Sequence, residues 1–435
     1  MRSRRSLKGK ARLAFCDTRG NVYEHPGYEP AFRTGRHFVR VDACDLIQLP
    51  YGSVLFSMPG RLPVYYDRGS DGYHAVASSP DGDDIWAASS FLSSGYLRTY
   101  LPAFEKRADA PVLPLWAYTG VVFINGEFYA PAVRIDDDPR SDPEIHQNDD
   151  ELRKSIRALK RQYPENRLVR QLSVCSTEYR CLCARNFFLG RYEAPVPTSP
   201  SCNANCLGCL SYQDGSGFCP SQYRLEFSPT PEEIAEVILH HVGRVERSVA
   251  SFGQGCEGEP LLRGKDLTRA VGLVRKKTSR GTININTNAS RHLMVKELIA
   301  AGIDSIRVSL NSPTERYYMR YYRPNNYSFR DVEKSLETAL NAGIFVSINL
   351  FFLPGFTDME SEVRSLFDFL DRFPVNMLQA RNLNMDPDYY LDRIGCDMTG
   401  DIGVTALIAM LRERYPSMKI GYYNPPKEDF APSNA

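Results

Sequence analysis

Cys202-Asn203-Ala204-Asn205-Cys206-Leu207-Gly208-Cys209 sets three thiols on one short stretch, with three residues between the first pair and two between the second. Ligands this close in sequence line one loop around a single centre, and thiolates select zinc, copper(I) or an iron–sulfur cluster. A [4Fe–4S] cluster held by three cysteines keeps one iron without a protein ligand, much as a catalytic zinc keeps one position open. Structural zinc knuckles carry similar triplets, so the surrounding chain must decide.

Working outward, strands alternate with helices after the triplet. Val249-Ala250-Ser251-Phe252, Ile283 to Asn286, Ile306 to Leu310, Phe345 to Leu353 and Met377 to Leu383 read as strands. Thr230-Pro231-Glu232-Glu233 forms a capping box with Pro at the first helical position, and Ile234, Val237, Ile238 and His241 continue one helical face. His241 reads there as a core residue, since no carboxylate or second ligand stands beside it. Helices over Arg291 to Ala301 and Val332 to Ala342 stop at Gly302 and Gly343. Thr357 with Glu360 makes a second capping box, opening a helix whose Val363, Leu366, Phe367 and Leu370 face inward. With a strand at the triplet itself this gives six βα units, hence a parallel sheet with right-handed crossovers. A closed eight-fold barrel takes about 250 residues, so a partial (βα)6 TIM-like barrel fits the remaining length better.

Functional groups in such sheets gather at the carboxyl ends of the strands. The second strand ends in Gly253-Gln254-Gly255-Cys256-Glu257-Gly258-Glu259-Pro260, whose glycines let backbone approach a ligand. The third ends in Asn286-Thr287-Asn288, the fourth in Ser309-Leu310-Asn311, and the fifth in Phe351-Phe352-Leu353-Pro354-Gly355-Phe356-Thr357-Asp358. Arg381, Asn382 and Asn384 end the sixth and belong, by position, to the substrate side. Glu315 to Asp331 interleaves Tyr317, Tyr318, Tyr321, Tyr322 and Tyr327 with arginines; a packed loop competes there with a base-stacking surface.

The triplet and these elements, in this order, resemble the radical S-adenosylmethionine (SAM) superfamily, in particular its molybdenum-cofactor biosynthesis protein A type. The resemblance implies an α/β fold with a partial barrel, and a [4Fe–4S] cluster on Cys202, Cys206 and Cys209. It implies SAM held by Gly258, Glu259, Pro260, Thr287, Asn288, Ser309, Asn311 and Leu353. It further implies reductive cleavage of SAM to a 5′-deoxyadenosyl radical, hydrogen abstraction from a substrate, and an electron donor such as flavodoxin or ferredoxin. Three positions depart from the family pattern. Glu257 stands where a first glycine is expected, Asn311 replaces an acid, and Gly208 replaces the aromatic that contacts adenine.

Eleven cysteines, an odd number, argue for reduced thiols and metal ligation over a disulfide framework. Cys175, Cys181 and Cys183, with Cys219 as a fourth thiolate, raise an auxiliary cluster against the alternative of buried core thiols. Cys256 and Cys396 are the candidate catalytic thiols, as hydrogen-atom donors or thiyl radicals. A net charge of +1 gives no pull toward nucleic acid or acidic membranes. No apolar run of membrane-spanning length occurs, and no signal-like run follows the basic Met1 to Arg12 segment, so a cytoplasmic protein is expected.

Upstream, Ser53 to Ser57 and Leu62 to Tyr66 around Pro59-Gly60 read as one hairpin, and Val121 to Ile124 with Phe128 to Ala130 around Asn125-Gly126 as another. Ala87 to Lys106 reads as a helix weakened by Gly95 and Pro102, and Asp149 to Tyr163 as an amphipathic helix. The expected organisation is a β-rich accessory domain over 1–145, a linker helix and Cys-containing connector over 146–198, the barrel over 199–395 and an extension over 396–435. The leading substrate is a peptide or protein side chain or a small molecule. An RNA-modifying methyltransferase and a non-catalytic Fe–S protein are the competing readings.

Overall fold

The computed structural model describes residues 9–211, 221–396 and 400–430. The chain forms two compact units, neither contiguous in sequence. Unit 2 comprises residues 142–350, 366–379 and 416–435, and unit 1 the remainder.

Unit 2 is built on a seven-stranded sheet in sequential order: β1 (Glu193–Pro195), β2 (Val249–Phe252), β3 (Thr282–Thr287), β4 (Ser305–Leu310), β5 (Phe345–Phe352), β6 (Met377–Asn382) and β7 (Lys419–Gly421). The last residues of β5 and β6 belong to unit 1. The β1–β2, β2–β3, β3–β4, β4–β5 and β6–β7 pairings are parallel. The sheet thus has one strand more than expected. β7 is three residues long, too short to show a hydrophobic period in the sequence.

Between the strands run α1 (Pro231–Arg244), α2 (Gly264–Arg275), α3 (His292–Ala301), α4 (Glu315–Tyr322), α5 (Phe329–Asn341) and α6 (Glu360–Arg372). The α1 capping box forms as expected, with Glu233 N donating to Thr230 Oγ1 at 3.2 Å and Thr230 N to the Glu233 carboxylate at 2.8 Å. α3 stops at Gly302 because the next residue must take φ near +110°, which side chains rarely adopt. The second expected box does not form. α6 starts at Glu360, and the Thr357 hydroxyl turns back to accept from Leu353 N at 3.0 Å and donate to Phe351 O at 3.2 Å.

The two faces of the sheet differ in kind. Ala250, Phe252, Ile283, Ile285, Ile306, Val308, Leu310, Val346, Ile348, Leu350 and Leu378 are 0–1% exposed and supply the apolar face. The alternate positions are polar: Ser251, Asn284, Asn286, Ser305, Arg307, Ser309, Ser347, Asn349 and Gln379. A hydrogen-bonded network runs across them. Asn284 Nδ2 donates to Ser251 Oγ and Asn286 Oδ1, Ser305 Oγ to Asn284 Oδ1, and Arg307 to Gln379 Oε1. Asn424, past β7, donates to Glu193 on β1 at 2.8 Å and accepts from Gln379 on β6 at 2.9 Å. One asparagine reaching both ends of the strand order requires a sheet curled on its polar face, the half-barrel that was expected. The C-terminal segment then runs under the amino ends of the strands. Lys427 N donates to Thr282 Oγ1 and Phe430 stacks on Phe345 with ring centres 4.3 Å apart.

Unit 1 is β-rich, with sheets of eight, four and three strands. The Asn125-Gly126 hairpin forms, both turn residues taking positive φ (53° and 81°), and Ile124 pairs with Glu127. The other expected hairpin does not. Val54–Met58 pairs with Ile85–Phe91 and Arg61–Asp67 with Phe104–Lys106, so Pro59-Gly60 is a corner between two sheets. Ala87 to Lys106 is likewise not a helix but the greater part of four strands, where cross-strand partners override weak helical periodicity and Gly95 takes φ +86°.

Four arginines are buried inside unit 1, among them Arg140, which pairs with Asp138 at 2.7 Å. Arg61 and Asp386, both fully buried, pair at 2.6 Å. Arg33 meets Asp388 at 2.6 Å. Arg98 donates to the carbonyls of Tyr118, Phe352 and Leu383. Burial pushes its pKa down to about 9.

Candidate active site

The cysteine loop follows β1 and is held on one side by the turn after β2. Gly258 N donates to Ser199 O at 2.7 Å and Glu259 N to Ser201 O at 2.9 Å, which fixes the backbone entering Cys202. A Cβ on Gly258 would lie 1.9 Å from Ser201 O, so only glycine permits this approach. Glu257, the departure from the family pattern, has a local purpose. Its buried carboxylate accepts from Thr198 N, Thr198 Oγ1 and Ser199 N through one oxygen, and from Gly253 N and Gln254 N through the other. Burial pushes its pKa up and those bonds oppose the shift. One side chain therefore staples the end of β1 to the β2 turn.

On the other side, α4 and the residues after it hold the loop. Asn205 N donates to Tyr322 O, Leu207 N to Tyr321 O and Asn325 N to Asn203 O. Arg323, at φ +45°, places its guanidinium on the Asn205 carbonyl at 2.5 Å. Tyr317, Tyr318, Tyr321 and Tyr322 are buried, so this stretch is a packed wall and not a surface for stacking bases. Tyr318 stacks on Tyr322, and the Tyr318 and Tyr327 hydroxyls lie 3.3 Å apart. Next to Gly208, where the resemblance expects an aromatic, Leu207 is held by the backbone of Tyr321.

The three thiols lie within electrostatic reach of one another. Burial pushes Cys206 well above the ordinary thiol value, with Cys209 and Cys202 adding to the rise. Cys202 is pushed up to about 11 by burial and by Glu259. Arg224, which the sequence reading overlooked, reaches Cys209 Sγ at 3.9 Å and Ser211 Oγ at 3.1 Å. Among the described residues no three His, Cys, Asp or Glu side chains converge on one point as a closed metal site, the triplet included. The donor set nevertheless suits a cluster: three soft, half-buried ligands on one loop, flanked by a guanidinium.

Three of the residues expected to hold SAM meet directly. Glu259 Oε1 accepts from Thr287 Oγ1 at 2.5 Å and from Leu261 N at 3.0 Å, and its Oε2 accepts from Asn288 N at 2.9 Å. Asn288 Nδ2 continues to Asn203 Oδ1, inside the cysteine loop, at 2.9 Å. Burial pushes the Glu259 pKa up to about 7. Pro260 begins the short turn that follows. Ser309 is half-buried on the polar face of β4, and Asn311 is buried with its amide on Tyr317 O.

The remaining candidates stand elsewhere. Leu353 and Cys396 belong to unit 1, the latter with its thiol 3.6 Å from Met359 Sδ. Asn382 is engaged by unit 1 backbone, accepting from Arg98 N and donating to Tyr96 O. Cys256 is buried in the β2 turn, hydrogen-bonded to the Cys175 thiol, with Cys181 in electrostatic reach. Cys183 faces Glu193 O at 3.8 Å, and Cys219 lies outside the described residues.

A parallel half-barrel with a three-cysteine loop after its first strand defines a class. Residues 196–370 match the sequence profile of the Radical SAM superfamily, and the chain carries a radical SAM domain. Individual relatives are more distant. A GTP 3′,8-cyclase of Campylobacter lari is 29% identical over 196 residues, 45% of this chain and 56% of that one. A probable GTP 3′,8-cyclase of Aeropyrum pernix is 28% identical over 167 residues, 38% of this chain and 44% of that one. The chain thus spans about half the length of these curated relatives. Among solved structures, HydG, a maturase of the [FeFe]-hydrogenase, is similar over 63% of this chain and 66% of its own at 16% identity, with a TM-score of 0.39. No helix among the described residues is long and apolar enough to cross a membrane.

Proposed function

We propose that this chain is a radical SAM enzyme whose Cys202, Cys206 and Cys209 hold a [4Fe–4S] cluster and whose Gly258, Glu259, Thr287, Asn288 and Ser309 position SAM. When bound and reduced, such a cluster supplies the electron that splits the SAM sulfonium to methionine and a 5′-deoxyadenosyl radical. The observation that carries the reading is the hydrogen-bonded chain Glu259–Thr287–Asn288–Asn203, which makes the cysteine loop and the SAM candidates one rigid unit. Rigidity is what the chemistry asks of the protein, since a primary radical must meet its target before it meets anything else.

The chain's own residues divide the work. Gly258 and Glu257 fix where Cys202 stands. Tyr318 and Tyr322 keep water from Cys206, which sharpens every charge interaction inside the site. The Glu259 carboxylate, already bonded by three donors, orients the backbone of the β2 turn rather than ionising freely. A low-potential donor such as flavodoxin or ferredoxin supplies electrons. The curated relatives are named for GTP, which makes GTP the first small molecule to try as substrate; a peptide side chain is the other leading class.

The test is anaerobic reconstitution with iron and sulfide, then dithionite and SAM, with 5′-deoxyadenosine as the readout. Product in the wild type supports the reading. A reconstituted, four-iron protein that forms none overturns it in favour of an electron-transfer or sensing role, and a zinc-bound, colourless protein overturns it altogether.

A further inference from the structure

Arg224 stands on a segment of unit 2 that returns to the cysteine loop after its third thiol. Ser221 donates twice to Leu210 O, from N at 3.2 Å and from Oγ at 2.9 Å. Ser211 and Gln222 form a parallel bridge, and Leu225 N donates to Cys256 O in the β2 turn at 2.8 Å. Backbone on both sides of Arg224 is thus fastened to the site before its side chain is considered. The side chain then closes a group of three. Arg224 Nε and one Nη donate to Ser211 Oγ, each at 3.1 Å, and the same Nη lies 3.9 Å from Cys209 Sγ. Ser211 Oγ is itself 3.4 Å from Cys209 Sγ. A hydroxyl has two lone pairs and one proton to give. With the guanidinium on the lone pairs, the proton is left for the sulfur. A Cys209 thiolate therefore receives two donors from one arginine–serine pair, and one of them is cationic. Ser211 is 2% exposed while Arg224 and Cys209 are half-buried, so salt and water screen the contact less than they would a surface one.

We propose that Arg224, acting through Ser211 and Cys209, is the positioning residue that eases reduction of the cluster. A guanidinium ligates no metal; beside a ligating sulfur it orients that ligand and offsets its charge. The electron that enters on reduction adds negative charge next to a fixed cation, which favours the reduced state. One electron passes from the donor to the oxidised centre, and no bond is made or broken. This rests on the radical SAM reading and adds to it the residue that sets how readily the electron is accepted. The fork matters as well as the charge, since a lysine cannot hold the hydroxyl and face the sulfur in the same planar geometry.

The experiment is an anaerobic redox titration of the reconstituted full chain with dithionite, followed by electron paramagnetic resonance of the reduced cluster, with iron and sulfide counted in the same samples. The variants are Arg224→Gln, Arg224→Lys and Ser211→Ala, with Arg157→Gln, exposed on the helix Asp149–Gln162, as control. Arg224→Gln should make reduction about tenfold harder, a midpoint lower by about 59 mV for one electron. Arg224→Lys, which keeps the charge, should stay closer to the wild type. Ser211→Ala should shift the midpoint the same way by less, and Arg157→Gln should leave it in place. An Arg224→Gln protein with full iron and the wild-type midpoint overturns the proposal. So does a shift in Arg224→Lys as large as in Arg224→Gln, which makes the role steric, or an equal shift in Arg157→Gln, which makes it bulk charge. Where Arg224→Gln takes up no iron, Ser211→Ala carries the test, and a wild-type midpoint there overturns the proposal. These outcomes leave the underlying reading intact. A wild type that binds no four-iron cluster, or binds one and forms no 5′-deoxyadenosine, fails that reading instead and takes the proposal with it.

Discussion

The two units bury polar groups in opposite ways. In unit 1 the buried arginines are closed by partners: Arg61 with Asp386, Arg33 with Asp388 and Arg140 with Asp138, while Arg98 is spread over three carbonyls. In unit 2 the polar side chains form one face of a sheet, joined to one another by hydrogen bonds and partly exposed at Arg307 and Ser309, beside a three-cysteine loop in which burial raises the pKa of Cys202 and Cys206. Closed pairs leave nothing for a ligand and serve architecture. Polar groups gathered on one face of a sheet whose other face is fully apolar are the arrangement that serves chemistry.

The largest effect should come from breaking a closed pair. Arg61→Met leaves a buried carboxylate without its cation, and unit 1 should lose about 3 kcal/mol or more. Adding Asp386→Leu should recover most of that loss in a urea melt. If the double variant stays as unstable as the single one, the pair is doing more than closing a charge.

Acid should distinguish the units next. His241 in α1 is almost fully buried, bonded through Nε2 to Tyr192 O, and burial pushes its pKa down to about 4. Above about pH 6.5 it is neutral in both folded and unfolded chains and costs nothing. As pH falls toward 4 the unfolded chain takes up a proton that the folded one refuses. Unit 2 should therefore lose on the order of 3 kcal/mol across that window, and His241→Gln should flatten that part of the stability curve. The smallest of these effects is the α1 cap: Thr230→Ala should cost about 1 kcal/mol. Because Glu233 also binds Arg167 at 2.6 Å, the removal leaves that ion pair in place.

Much of the site was legible because its signals are local. The Cys202 triplet, the Gly253–Pro260 turn and Thr287-Asn288 each lie on a few consecutive residues, and the strands before them alternate in the sequence itself. The same alternation, Ile283-Asn284-Ile285-Asn286 and Ile306-Arg307-Val308-Ser309-Leu310, held the polar face in view, yet it read only as a strand signal. What stayed hidden is non-local. Nothing near Arg61 announces Asp386, 325 positions away, nor near Cys175 its contact with Cys256. The hairpin expected over 53–66 failed for the same reason, since a Pro-Gly turn specifies a reversal and not which strand will be the partner. The helix expected over Ala87 to Lys106 lost to pairings with strands far off in the chain.

The central claim is that the triplet holds a redox cluster next to SAM, and the most direct measurement compares wild type with Cys206→Ala after identical anaerobic reconstitution. The account predicts iron, sulfide and dithionite-dependent 5′-deoxyadenosine in the wild type, and loss of product with little bound iron in Cys206→Ala. A Cys206→Ala protein that still forms 5′-deoxyadenosine at the wild-type rate would contradict it.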